Sequence, residues 1–411
     1  MTTTATPPAT TTPSTTGARK LPSVAEGPGV WTTGPRGALI GLGIGAVLLL
    51  VVAPLTLGGF GLDLLGRYLC MAMVAVGIGL VWGRGGMLAM GQGVYFGLGA
   101  YIMAMHMTLA DTTLEGESIP TFMRQNGVER LPELWGIVQH PVIAVAAIIL
   151  VPTAVAGLLG WAIFSRRVKG AYFAILSQAL AAAFAVLIIG QPVLTNGSNG
   201  LSNFQSLFGW DLDDSGNRLV LFLVVAVILL AMLAVTWQLY RSRFGELLVA
   251  VRDQEERVRF LGYDPALIKT VAYMIAALFA AIGGALFVPV VGIISPADIG
   301  VVPSIAFLIG VAIGGRATWL GPVLGSIAVS FAGTQLASAF PSAWVYLQGL
   351  LFVLVIGFLP GGLASVIGLL RRRRPEGRGG GRGDGSAGAP DEPGDDPQDT
   401  TREATEPEAA R

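Results

Sequence analysis

Residues 241–287 read RSRFGELLVAVRDQEERVRFLGYDPALIKTVAYMIAALFAAIGGALF. The stretch changes character at its middle. Positions 241–269 hold six basic and five acidic side chains. Leu247, Leu248, Val251, Val258 and Leu261 recur at helical spacing within it, which predicts an amphipathic helix. Gly262 closes that helix, and Asp264-Pro265 opens the next segment. Positions 270–291 then carry no charge, and a run of about 20 such residues crosses a bilayer. A charged surface helix leading straight into an apolar span is a loop between membrane helices.

The rest of the chain repeats the apolar half of this pattern. The 411 residues are 53% hydrophobic and 13% charged, about half the charge of a soluble domain. A mean hydropathy of +0.67 with zero net charge excludes a soluble enzyme and a nucleic-acid binder, which needs a basic face. Ten spans are predicted, at 37–57, 62–82, 87–107, 141–164, 170–190, 219–240, 270–291, 304–314, 317–340 and 344–370. The fold class is therefore an all-α polytopic membrane protein, with a transmembrane domain over 37–370. Residues 1–36 are rich in Thr and Pro, lack a signal-peptide pattern and are expected to be disordered. The same expectation holds for 371–411, which runs from basic to acidic.

Charge in the loops sets an orientation. Arg84, the segment Arg166, Arg167 and Lys169, the loop 241–269, Arg316 and Arg371 to Arg374 all fall on one side. The acidic loops carrying Asp111, Glu115, Glu117, Asp211, Asp213 and Asp298 fall on the other. The positive-inside rule then makes both termini cytoplasmic.

Several chemistries are missing. None of the three lysines, Lys20, Lys169 and Lys269, ends a phosphate-binding loop, so ATP hydrolysis is not expected on this chain. Cys70 is alone, and His106 and His140 lie far apart in sequence, so neither a metal site nor a cofactor is expected. Asp63 and Arg67 start the second span, where they are read as pairing or reaching the interface. The spans are otherwise nearly free of ionisable groups, which disfavours an ion-coupled carrier. A neutral lining suits a neutral or zwitterionic solute. Candidate lining residues are the uncharged polar groups within spans: Gln92 and Tyr95 in the third, and Tyr172, Ser177 and Gln178 in the fifth. Thr195, Asn196 and Asn199 follow in a glycine-rich turn. Each could equally make an ordinary interhelical hydrogen bond. Gly93-x-x-x-Gly97, Gly310-x-x-x-Gly314 and Gly321-x-x-x-Gly325 read as close packing within the chain, in preference to a subunit interface.

The charged loop resembles the coupling loop of ABC importer permeases, which docks on an ATPase subunit. More narrowly, Gly245, Ala250, Arg252, Asp253, Glu256, Leu261 and Gly262 match the branched-chain amino-acid permease family. So do GRGGMLAMGQGVYFGLGAY (83–101), RVKGAYFAILSQAL (167–180), TNGSNGL (195–201), GIISP (292–296), GVAIGGRATWLGPVLG (310–325) and FLPGGL (358–363). The resemblance covers about residues 60 to 368. IPTFMRQNGVERLPELW (119–135), YFAILSQAL (172–180) and the arginine in VAIGGRATW (311–319) look like the urea-importer branch. Ala306 departs from that branch, where a carboxylate is expected.

The resemblance implies a permease subunit in a bacterial cytoplasmic membrane that works by alternating access and performs no chemistry. Its implied partners are cytoplasmic ATP-binding subunits, a second related permease subunit, an extracytoplasmic substrate-binding protein and membrane lipid. It implies that Gly245, Ala250, Arg252, Asp253, Glu256, Arg257 and Gly262 carry the coupling. Urea or a short amide is the expected solute. A branched-chain amino acid is the alternative, and a self-sufficient channel or carrier is the reading from another class.

Overall fold

The computed structural model describes residues 35–339 except 169 and 317, together with six positions between 343 and 353. Most of the tenth predicted span, residues 1–34, the whole C-terminal tail and Lys169 lie outside the described residues. Among the described residues, eight helices are long and apolar enough to cross a membrane.

In chain order, α1 spans Pro35–Val47 and continues through a π-helical turn, Leu48–Val52, into α2, Ala53–Thr56. Pro54 has no N–H to give to the preceding turn, and the π turn sits directly before it. Next come α3 (Gly59–Ile78), a second π turn (Gly79–Arg84) and α4 (Gln92–Leu114). Two short helices, α5 (Thr121–Gln125) and α6 (Glu133–Ile137), precede α7 (Pro141–Ser165) and α8 (Ala171–Ile189). The short α9 (Pro192–Thr195) leads to α10 (Ser215–Arg241), α11 (Arg243–Phe260) and α12 (Pro265–Val291). The last described helices are α13 (Val301–Gly314) and α14 (Gly321–Ala339).

The first nine expected spans recur among the described residues as helices, the ninth (α14) falling outside the eight that are apolar enough to cross a membrane, and one span is shifted. The third is expected at 87–107, whereas residues 86–91 are not helical and α4 starts at Gln92. Gly86 adopts φ +66°, a conformation that favours glycine, and turns the chain back into the bundle. The irregular residues that follow lie against α8, where the Met90 N–H donates to Ser177 Oγ at 3.1 Å.

Burial sorts the helices into a core and a shell. The most apolar windows of Gly59–Arg84 and Gln92–Leu114 are 78% buried, and that of α12 is 67% buried. The window of Gly37–Thr56 is only 11% buried, and Leu39, Ile40, Ile44 and Val51 point outward, as a lipid-facing helix requires. The central helix α12 packs on α3, α4 and α7. Close backbone approach makes this possible. A Cβ on Gly77 would meet the Ala276 carbonyl oxygen at 2.9 Å, and one on Gly283 would meet that of Cys70 at 2.8 Å. Gly310, Gly314, Gly321 and Gly325 bring α13 onto α14, and Gly93 and Gly97 accept Ile299 against α4. All three small-residue spacings are thus used inside the chain.

The basic loops gather at one end of the bundle. Arg84 lies over the Tyr240 ring at 4.5 Å, and Arg316 lies over Trp82 at 5.1 Å. The acidic loops gather at the other. There Leu201 and Ser202 pair antiparallel with Ile294 and Ile293, and Ser206 and Leu207 pair with Asp211 and Trp210. Residues 119–138 fold over α4 with Met123 and Trp135 fully buried. His106 Nδ1 lies 2.8 Å from the Val138 carbonyl oxygen, and His106 and His140, distant in sequence, line one pocket. Asp63 does not pair with Arg67; its carboxylate meets Arg218 at 3.4 Å.

Asp111 is the fastener of this end. Its carboxylate accepts from the Gln205 N–H (2.8 Å), the Ser206 N–H (3.0 Å) and the Ser206 hydroxyl (2.7 Å), and it is buried. Asp111→Asn replaces an acceptor with an NH2 that faces other donors. The expected cost is about 2–3 kcal/mol, typical of a lost charged hydrogen bond. A melt of the purified protein in detergent checks it, and an unchanged midpoint contradicts it.

Candidate coupling loop and translocation pathway

The amphipathic pattern of 241–269 folds as an elbow. Ser242 caps α11 by accepting from the Gly245 N–H at 3.4 Å. Gly245 is buried against the end of α10, and a Cβ there would lie 2.9 Å from the Tyr240 carbonyl oxygen. Leu248, Val251 and Val258 form the buried stripe of α11. At Gln254 the backbone leaves helical geometry (φ −149°, ψ 78°) and splits α11 into two arms. Gly262 (φ +88°) ends the second arm, and Asp264 then caps α12 by accepting from the Ala266 N–H at 2.9 Å.

Polar bonds fix both arms to the bundle. Arg252 donates from Nη1 to the Gly83 carbonyl (2.9 Å) and from Nε to Asp253 Oδ1 (2.8 Å). Lys269 donates to Glu255 at 2.8 Å, with side chains only 10% and 12% exposed. Removing one member of such a pair leaves a buried charge and typically costs about 3–5 kcal/mol. Arg259 braces the second arm through Glu256 (3.2 Å) and Glu255 (3.6 Å).

The residues expected to carry coupling therefore divide. Gly245 and Arg252, with Asp253 beside it, hold the elbow to its own chain. Ala250, Glu256, Arg257 and Gly262 face outward. Sequence reasoning chose Glu256 and passed over Glu255, which makes the buried pair. It named Leu261, on the helix's apolar face, but not the exposed apolar tip that Leu261 forms with its neighbours. Phe260, Leu261 and Tyr263 are 89%, 75% and 50% exposed at the end of a charged elbow. The signal was there, since Phe260-Leu261 breaks the charge pattern just before the helix-ending glycine.

The eight candidate lining residues are not brought together. Tyr172 is exposed at the start of α8. Tyr95 donates to the Tyr273 hydroxyl at 3.0 Å and stacks edge-on to that ring, a packing role. The Thr195 hydroxyl is hydrogen-bonded to the carbonyls of Ile188 (2.7 Å) and Gln191 (2.9 Å). Asn196 (φ +59°) donates to the Gly200 carbonyl at 2.8 Å, and Asn199 is an exposed member of the same turn.

Gln92, Ser177 and Gln178 do converge, where the start of α4 crosses α8 and α13. The Ser177 hydroxyl donates to the Ala174 carbonyl (2.9 Å) while accepting from the Met90 N–H. Gln178 Nε2 donates to the Val301 carbonyl at 3.4 Å. Ser304, which the sequence reading left out, accepts from the Gly93 N–H at 3.3 Å. Gln92 is 1% exposed, and among the described residues neither its Nε2 nor its Oε1 has a hydrogen-bond partner. A buried carboxamide with all its bonds unmade is rare and calls for a ligand or water.

The profile of the family described as "Branched-chain amino acid transport system / permease component" matches residues 60–356. The chain is 25% identical over 341 residues to the high-affinity branched-chain amino acid transport system permease protein LivM of Salmonella typhimurium. The match covers 77% of this chain and 73% of the relative. LivM of Escherichia coli matches to the same extent. No solved structure matches the chain. The apolar helices and the family match make the chain a multi-pass transport protein of the bacterial cytoplasmic membrane and a non-enzymatic permease component. With the match running from α3 through α14 and beyond, the chain belongs to the branched-chain amino acid transport permease family.

Proposed function

We propose that the chain is the transmembrane permease of an ATP-driven importer and that its elbow couples it to cytoplasmic ATP-binding subunits. The observation that carries this reading is the exposed apolar tip at Phe260 and Leu261, at the end of an arm tied to the basic end of the bundle by the Lys269–Glu255 pair. A protruding apolar knob framed by charge fits a groove on a partner. A second, related permease chain completes the pathway, and an extracytoplasmic binding protein delivers the solute. Nothing in this role needs a cofactor, a metal or nucleic acid.

For the solute, urea or a short amide is the first reading. Urea offers one carbonyl acceptor and four N–H donors, and the open carboxamide of Gln92 complements both. The resemblance of residues 119–135 to the urea-importer branch supports the same choice. A branched-chain amino acid is the second reading, favoured by the description of the family and by the names of the LivM relatives. Uptake of radiolabelled urea and of leucine, in cells lacking the chain and in cells with it restored, separates the two. Restored urea uptake that leucine does not inhibit is the expected result. Restored leucine uptake alone overturns the first solute reading and leaves the coupling role intact.

A further inference from the structure

A cavity of about 430 Å3 lies among α3, α12, α13 and α14. Its wall is largely apolar, with Met71, Phe96, Phe287 and Phe307 among the lining residues. Two ionic groups of opposite sign also line it, Arg67 and Asp298. Arg67 stands eight residues into α3, which is about 12 Å along the helix axis. Its guanidinium lies over the Phe287 ring, 5.8 Å from the centroid. Among the described residues it has no hydrogen bond and no ion pair, because Asp63 on the same helix is engaged by Arg218. Among the described residues Asp298 is hydrogen-bonded through one oxygen only. Its Oδ2 accepts from the Ser295 N–H (3.1 Å) and hydroxyl (2.7 Å), which orients the carboxylate. Its Oδ1 has no partner among the described residues. The two charges line one chamber without forming an ion pair with each other.

An arginine in a membrane span is costly unless something neutralises it, and such residues mark solute pathways. A guanidinium presents a planar fork that matches a carbonyl or carboxylate. An oriented carboxylate oxygen accepts N–H bonds. We propose that Arg67 and Asp298 are the two poles of a solute-binding station, which takes a small molecule with an oxygen acceptor at one end and N–H donors at the other. Urea and short amides have that form, and so do α-amino acids, whose side chain would rest on the aromatic wall. The station rests on the transport reading above and names where its solute is held.

The test uses the chain assembled with its natural partner subunits in membranes. Ala306→Cys places a thiol in the cavity wall, and the native Cys70 is buried. The rate of labelling by a charged thiosulfonate is read with and without urea, acetamide or leucine, and uptake of urea and leucine is read alongside. At least one solute is expected to slow labelling, and Arg67→Gln or Asp298→Asn is expected to abolish that protection. Each variant is expected to lose about 10-fold in uptake, the scale of one charged hydrogen bond, at unchanged membrane abundance. Arg67→Lys keeps the charge without the fork and should not restore uptake. Protection by urea or acetamide identifies the amide arm, and protection by leucine alone identifies the amino-acid arm. Intact uptake without protection, or with variants that behave like the wild type, overturns the station and spares the transport reading. Protection without uptake of either solute overturns the solute reading and leaves the station standing. Absence of both overturns both. If Arg67→Gln releases the second permease and Arg67→Lys recovers it, Arg67 is a subunit contact and the station is overturned.

Discussion

Replacing Phe260 and Leu261 together with aspartate is expected to abolish uptake while leaving the chain folded in the membrane. Both side chains project from the elbow and contact little of their own chain, at 89% and 75% exposed. Their removal therefore should cost the isolated permease almost nothing. Burial of a large apolar side chain in a partner's groove is worth about 1.5–3 kcal/mol. Losing two gives about 3–6 kcal/mol, or roughly 10²- to 10⁴-fold in docking affinity. Placing two carboxylates in that groove adds a further penalty. Co-purification of the ATP-binding subunits measures the loss directly. Retained ATPase subunits with normal uptake would remove the tip from the coupling mechanism.

Gly284→Leu is expected to have the larger structural effect, with little or no folded chain recovered. A Cβ at Gly284 would fall on the Phe96 carbonyl oxygen and lie 2.8 Å from its carbon. Opposite, Gly99 is just as close to Ala281, with 2.8 Å to its Cα. Two backbones therefore meet on both faces of one crossing, and no side-chain rotamer can relieve the clash. α12 would have to lift from α4, and overpacking of this kind typically costs about 1–3 kcal/mol or more. Here the backbone is the obstacle, so the upper end of that range or beyond applies. The amount of chain extracted from membranes, with Gly43→Leu as a control in open space, measures the effect. Equal recovery of both variants would show that the α4–α12 crossing is not the scaffold.

The spans were legible because hydrocarbon leaves the backbone few choices, and 20-residue apolar runs declare themselves. The ends of the charged helix were legible too, since Gly262 and Asp264-Pro265 mark a helix end and a helix start by local chemistry alone, but the break at Gln254 that makes it an elbow carries no such mark. The start of α4 was not. Residues 87–91 are as apolar as a span, yet they are not helical, and their tie is the tertiary bond from Met90 to Ser177. Site residues were harder still. Thr195 and Asn196 are polar residues of the kind that lines a pathway, yet both satisfy local backbone groups. Glu255 and Glu256 are neighbours on one helix, and only the fold decides that Glu255 meets Lys269. Arg67 looked like a residue that would pair with Asp63 four positions away. Arg218, distant in sequence, took that partner and left the guanidinium facing a cavity.

The central claim is that solute crosses this chain by force delivered through its elbow from ATP hydrolysed elsewhere. The most direct measurement is solute uptake into vesicles holding the assembled importer, with ATP supplied on the elbow side and the proton gradient collapsed. Uptake that requires ATP, survives the collapse and vanishes with aspartate at Phe260 and Leu261 is the predicted result. Uptake that proceeds without ATP and stops when the gradient is removed would contradict it and make the chain a self-sufficient carrier.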